Sequence, residues 1–99
     1  MNMLQTIKSK QKLEVVLQGD FNLNAVRMVS ESLNDRSELS IDLSHSRFVN
    51  SKAIIFLHNL MQFEPEVKVR LKNPPRIFFE LLKTLGLHEV WKLDEIIEP

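Results

Sequence analysis

Apolar and polar residues alternate with the period of a β-strand in two stretches. Leu39, Ile41 and Leu43 alternate with Ser40, Asp42 and Ser44, and Val67, Val69 and Leu71 with Lys68, Arg70 and Lys72. Each predicts a strand with one buried face and one wet face. Met3 to Lys8 and Leu13 to Gln18, separated by Lys10, Gln11 and Lys12, predict two further strands joined by a tight connection, with Leu13, Val15 and Leu17 on a common face. Three other stretches follow helical spacing. Ala25, Val26, Val29 and Leu33 predict a helix entered after Gly19 and Asp20, capped by Asn22 or Asn24 and ending near Asn34 and Asp35. Ala53, Ile54, Ile55, Leu57, Leu60 and Met61 predict the most buried helix, capped by Asn50, running to about Phe63 and closed off by Pro65. Ile77, Phe78, Leu81, Leu82 and Leu85 predict a third, with Asn73 as cap, Pro74 in the first turn and Gly86 at its stop. Leu87, Val90, Trp91 and Leu93 are expected to fold back on the core, leaving Asp94 to Pro99 as a short helical turn or tail.

The order β-β-α-β-α-β-α places this chain in the α/β class. Strands that each keep one polar face predict helices gathered on the opposite, apolar face, in two layers. The uncovered face would carry Glu14, Asp42, Lys68 and Arg70. Ninety-nine residues, 43% of them hydrophobic, suit one domain spanning residues 1–99. Thirteen basic residues balance thirteen acidic ones, so no overall positive field draws the chain to nucleic acid. The stripe Lys68, Arg70 and Lys72 has no aromatic residues interleaved with it and reads as a solvated face. The beginning of the chain lacks the pattern of a signal peptide, and the longest apolar run, Ala53 to Leu57, falls far short of the roughly 20 residues that span a bilayer. A cytoplasmic protein with no direct membrane insertion is the expectation, and the absence of cysteine suits a reducing compartment.

Enzymatic chemistry finds little support. Gly19 and Gly86 are the only glycines, and neither belongs to a phosphate-cradling loop. His45, His58 and His88 lack metal-ligand spacing, and without cysteine there is no thiol nucleophile. No catalytic residue, metal or cofactor is expected, and Asp42, at a strand end, reads as a loop-organising hydrogen-bond acceptor.

The informative stretch runs from Ile41 to Leu57: a strand ending in Ile41-Asp42-Leu43-Ser44, a short loop, then Phe48-Val49-Asn50-Ser51-Lys52-Ala53-Ile54 entering the buried helix. It resembles the STAS domains, the family of bacterial anti-sigma factor antagonists and of related domains on sulfate transporters. In that family an apolar residue followed by Asp-Leu-Ser ends a strand, and an apolar pair followed by Asp-Ser-Ser-Gly-Leu begins the central helix. The resemblance extends along the chain through LEVVLQGDFNLNAV, similar to the family's strand and Gly-Glu-Leu-Asp opening, and through VKVRLKNPPRIFFELLKTLGLHEVW, similar to its last strand, helix and Gly-Leu tail.

The resemblance implies a singly wound β-α superhelix, with a four-stranded mixed sheet and helices mainly on one face. It also implies a non-catalytic interaction module that binds an anti-sigma factor serine kinase. Ser51 aligns with the serine that such a kinase phosphorylates and that a PP2C-type phosphatase restores. A phosphate adds about −1.5 to −2 charge, and at a helix start it meets backbone N–H groups and a favourable dipole, so it would alter the surface and leave the fold intact. Asn50, Ser51, Lys52 and Ala53, together with Asp20 and Asn22, are the expected partner-binding residues. Asn50 stands for the family aspartate, Lys52 for its second serine and Ala53 for its glycine. These three departures motivate the alternative of a phosphorylation-independent adaptor, such as the STAS subunit paired with the ATPase of a lipid-transport ABC complex, or a part of a signalling assembly. A small-molecule or nucleotide sensor is a third class.

Overall fold

The computed structural model describes residues 4–8, as backbone, and residues 11–98. Met3 and Lys10, parts of the first expected strand and connection, lie outside the described residues, as does Pro99. The strands are β1 (Leu4–Lys8), β2 (Lys12–Leu17), β3 (Glu38–Asp42), β4 (Lys68–Lys72) and β5 (Ile97–Glu98). The helices are α1 (Leu23–Leu33), α2 (Ser51–Phe63), α3 (Arg76–Thr84) and a single turn, α4 (Leu93–Ile96).

The strands lie side by side in chain order, β1-β2-β3-β4-β5. β1 pairs antiparallel with β2, and each later neighbour pair is parallel. The expected four-stranded mixed sheet is thus a parallel run of four strands, β2 to β5, with β1 antiparallel at its edge. The unforeseen strand is β5. It is two residues long, too short to leave a periodic signal, and it pairs only with Leu71 and Lys72; an ion pair between Lys72 and Glu98 (3.6 Å) lies at the same place.

Alternation along the strands produces most of the core as predicted, but Ser40, expected on the wet face, is buried (3% exposed) in β3, the central strand of the sheet. Leu13, Val15 and Leu17 of β2, Leu39 and Ile41 of β3, and Val69 and Leu71 of β4 are buried, while Glu14, Asp42, Lys68 and Arg70 retain contact with solvent. The same core takes Ala25, Val29 and Leu33 from α1, Ala53, Ile54, Leu57 and Leu60 from α2, and Phe78 and Leu82 from α3. α2 touches both α1 and α3 and supplies more buried residues than either.

Three further expectations need correction. Ile55 is 42% exposed, because five consecutive apolar residues, Ala53 to Leu57, cover more than one face of a helix and only part of that arc can point inward. Val90 is also exposed, whereas its neighbour Trp91 is buried against Phe78 and His58. Asn73 does not cap α3. Two prolines separate it from Arg76, the N-cap is Pro75, and Asn73 adopts the left-handed conformation (φ 52°) while its side chain reaches back to β3. The stop at Gly86 is as expected. Its φ of 73° is one that side chains resist, and the N–H of Leu87 closes the helix end on the carbonyl of Leu82. Among the described residues no helix is long and apolar enough to cross a membrane.

Candidate protein-interaction site

Parallel strands deliver their outgoing connections to one end of the sheet. Residues 18–22 after β2, 43–50 after β3 and 73–75 after β4 therefore converge at the start of α2. The first two are stitched together by backbone. Phe21 forms a parallel bridge with Val49; its N–H donates to the Phe48 carbonyl (3.1 Å), and its own carbonyl accepts from the Asn50 N–H (2.9 Å). Phe21 is fully buried, so the connection is anchored in the core.

Side chains complete the stitching. Oδ1 of Asp20 accepts from the N–H groups of Arg47 (3.0 Å) and Phe48 (3.1 Å), an acceptor arrangement that a carboxylate fulfils without a counter-cation. The buried Ser46 hydroxyl donates to the Gly19 carbonyl (2.6 Å). On the other side, Oδ1 of Asp42 accepts from the Ser44 N–H (2.9 Å) and the Asn73 side-chain amide (3.3 Å), and the Leu43 N–H donates to the Lys72 carbonyl (2.8 Å). Partial burial pushes the Asp42 carboxyl up. The hydrogen bonds from Ser44 and Asn73, with the nearby Lys72 ammonium, outweigh burial and hold it below its ordinary range. Asp42 is the loop organiser expected of it.

Asn50 is the N-cap of α2. Its extended backbone (φ −74°, ψ 137°) turns the chain into the helix, and its Oδ1 accepts from the Lys52 N–H at 2.8 Å. Ser51 follows, half-buried, and Lys52 is exposed. Asp20, which lies 30 residues or more from these positions in the chain, is brought to the same loop assembly. Asn22 ends the same connection, but its side chain turns onto its own helix, where Oδ1 caps α1 by accepting from the Ala25 N–H (3.0 Å). Ala53 must also be withdrawn as a contact residue. It is fully buried, because the third residue of α2 faces the core.

Two residues outside the expected set give this end of the molecule its apolar character. Phe48 is 66% exposed and Leu23, at the first position of α1, is 51% exposed. Phe48 is held in place by the Asp20 and Phe21 contacts to its backbone, so its ring projects from a fixed loop. The one sequence signal was a phenylalanine in an otherwise polar connection, Ser44 to Arg47. A large exposed apolar side chain beside a polar cap is the composition expected of a contact surface and offers nothing to bond chemistry. Of the three histidines, His45 is exposed on the 43–50 connection of this assembly, whereas His58 accepts from the Trp91 indole N–H (3.1 Å) and His88 is 3.8 Å from Glu89.

No family model and no curated protein matches the sequence. Among solved structures, the chain is similar to the anti-sigma factor antagonist SpoIIAA in its unphosphorylated form. The TM-score is 0.66 over 87% of this chain and 83% of that one, at 15% sequence identity. The fold is STAS-like. At that identity the similarity speaks for the fold alone, and it agrees with the family resemblance carried by Ile41 to Ile54.

Proposed function

We propose that this protein is a non-catalytic interaction module that works as an anti-sigma factor antagonist does, docking an anti-sigma factor serine kinase on the loop assembly at the start of α2. The observation that carries this reading is the convergence of an exposed Phe48, the Asn50 cap and a half-buried Ser51 on one loop assembly braced by Asp20. Phe48 and Leu23 supply apolar area, and the polar helix start beside them supplies the site of control. Phosphorylation of Ser51 places about −1.5 to −2 charge at the positive end of the α2 dipole, with the exposed Lys52 next to it. The fold survives, but a partner fitted to a neutral hydroxyl must then desolvate a charge. A PP2C-type phosphatase would reverse the step. The protein is the substrate in this scheme and acts in the cytoplasm.

The test is incubation of the protein with its candidate kinase and ATP, read by intact-mass spectrometry. One phosphoryl group is expected on the native chain and none on Ser51→Ala. No mass change, or a change that persists in Ser51→Ala, refutes the switch.

The strong exposure of Phe48 also favours a second reading. An apolar anchor of that kind serves a constitutive partner equally well, such as the ATPase subunit of a lipid-transport ABC complex. A stable complex with such a subunit that phosphatase treatment leaves unchanged would select it.

A further inference from the structure

Charge is unevenly spread around the start of α2. Over the whole chain thirteen acidic residues balance thirteen basic ones, yet residues 43–63, which hold the connection after β3 and all of α2, contain no Asp or Glu. In the facing stretch, residues 18–30, Asp20 is the one acid, and its carboxylate is taken up by the N–H groups of Arg47 and Phe48. The first acids beyond these stretches are Glu31, towards the end of α1, and Glu64, which follows α2.

Cations remain exposed there. Arg47 and Lys52 bracket Phe48, Asn50 and Ser51 in the chain, and neither has an ion pair among the described residues. Arg27, one turn along α1 from Leu23, is exposed as well and donates to the uncharged Asn24 side chain (3.0 Å). The other charges at this end of the sheet are matched locally: Asp42 by Ser44 and Asn73, Lys72 by Glu98 (3.6 Å), and Arg76 by Glu80 (3.8 Å). Apolar side chains lie among the free cations. Phe48 follows Arg47, and Ile55, 42% exposed and one turn beyond Ser51, carries the apolar area of Phe48 and Leu23 onto α2.

A second copy of this chain does not suit such a surface, because two basic faces repel. Nucleic acid suits it poorly. Two unpaired cations neutralise few phosphates, and Leu23 and Ile55 offer no ring on which bases stack. A protein face with an apolar pocket and carboxylates around it matches both the anchor and the charge.

We propose that the partner docking at the start of α2 presents an acidic face: an apolar pocket that takes Phe48, rimmed by carboxylates that meet Arg47 and Lys52, with Arg27 at the margin. The proposal rests on the reading of this end as a docking site and names the chemistry of what docks. Phe48 holds the complex and the cations steer its formation, since rim charges act mainly on the association rate and a buried aromatic anchor on the dissociation rate.

The test is surface plasmon resonance with the candidate anti-sigma factor kinase immobilised and the 99-residue protein in solution. It is run at about 0.1 M and about 1 M salt, between which the screening length falls from about 10 Å to about 3 Å. Arg47→Glu with Lys52→Glu should slow association by about tenfold at the lower salt, and the gap should close at the higher. Lys52→Glu alone should slow it less; an acid in the first turn suits the helix dipole, so this variant keeps its fold if the double variant does not. Phe48→Ala should instead speed dissociation by about tenfold or more and leave association within about twofold. Lys83→Glu, an exposed charge reversal on α3, should change neither rate, which separates local charge from net charge. Native association rates in the charge variants, with faster dissociation of Phe48→Ala, would overturn the acidic face and leave docking at the start of α2 standing. Unchanged rates in every variant, or no saturable binding of the kinase, would overturn both. Tighter binding of a single-stranded oligonucleotide or of phosphatidylglycerol vesicles than of the kinase would assign the surface to another class of partner and overturn the proposal as well.

Discussion

Replacing Asn50 by alanine isolates the cap that the site depends on. The variant loses the acceptor of the Lys52 N–H (2.8 Å) and keeps the backbone, because φ −74° and ψ 137° suit alanine as well as asparagine. The backbone bonds of residue 50, from its N–H to Phe21 and from Ala53 to its carbonyl, need no side chain and should persist. Loss of an N-cap costs about 0.5–2 kcal/mol. Because Asn50 is exposed, water can take the vacated N–H, which places the expected loss in the lower half, about 0.5–1 kcal/mol. For a domain of this size that corresponds to a fall in Tm of about 2–8 °C. Asn50→Asp retains the acceptor and adds an anion at the positive end of the helix, with Lys52 adjacent. It should be more stable than Asn50→Ala by the cap contribution and by a further ~0.3–1 kcal/mol. Urea unfolding followed by Trp91 emission measures all three proteins in parallel. Indistinguishable midpoints for the native chain and Asn50→Ala, or an Asn50→Asp variant less stable than Asn50→Ala, would refute the assignment of Asn50 as a working cap.

Two further substitutions test the core and the loop organiser. Leu57→Ala empties a fully buried position in the middle of α2 and should cost about 2–5 kcal/mol in urea unfolding, whereas a loss below about 1 kcal/mol would mean that α2 is not packed as described. Asp42 has a lowered pKa in the folded protein, so its carboxylate contributes stability that is complete above the unfolded-state value, about 4, and is lost as pH falls through the folded-state value. The advantage of the native chain over Asp42→Asn should therefore be level near neutrality and shrink below about pH 4; an advantage that grows on acidification contradicts the hydrogen-bonding scheme.

The elements that could be read from the sequence were those with a period. Leu13, Val15 and Leu17, and Val69 with Leu71, needed only alternation to be placed on the buried face, and Asn50 announced its helix because a capping side chain sits directly before an apolar run. The errors occurred where pattern underdetermines geometry. A two-residue strand such as β5 cannot show a period. The five apolar residues from Ala53 to Leu57 cannot say which one faces out, and it is Ile55. Asn73 carries the side chain of a cap, but Pro74 and Pro75 displace it from that position and its amide serves Asp42 instead. The site was half legible. Asn50, Ser51 and Lys52 could be located because they are contiguous. Nothing in the chain reveals that the Asp20 carboxylate spans to Arg47 and Phe48, or that Phe48 stands in solvent, since both follow from the parallel return of β2 and β3 to the same end of the sheet.

The central claim is that a protein partner docks on the loop assembly at the start of α2. It is tested most directly by titrating the candidate anti-sigma factor kinase calorimetrically with the native chain, with Phe48→Glu and with Lys83→Glu, whose exposed position lies in the last turn of α3. Phe48 is exposed, so its replacement should leave the fold intact. Saturable binding that is weakened by about tenfold or more in Phe48→Glu and unchanged in Lys83→Glu is the predicted result. Equal affinity of Phe48→Glu and the native chain would contradict it.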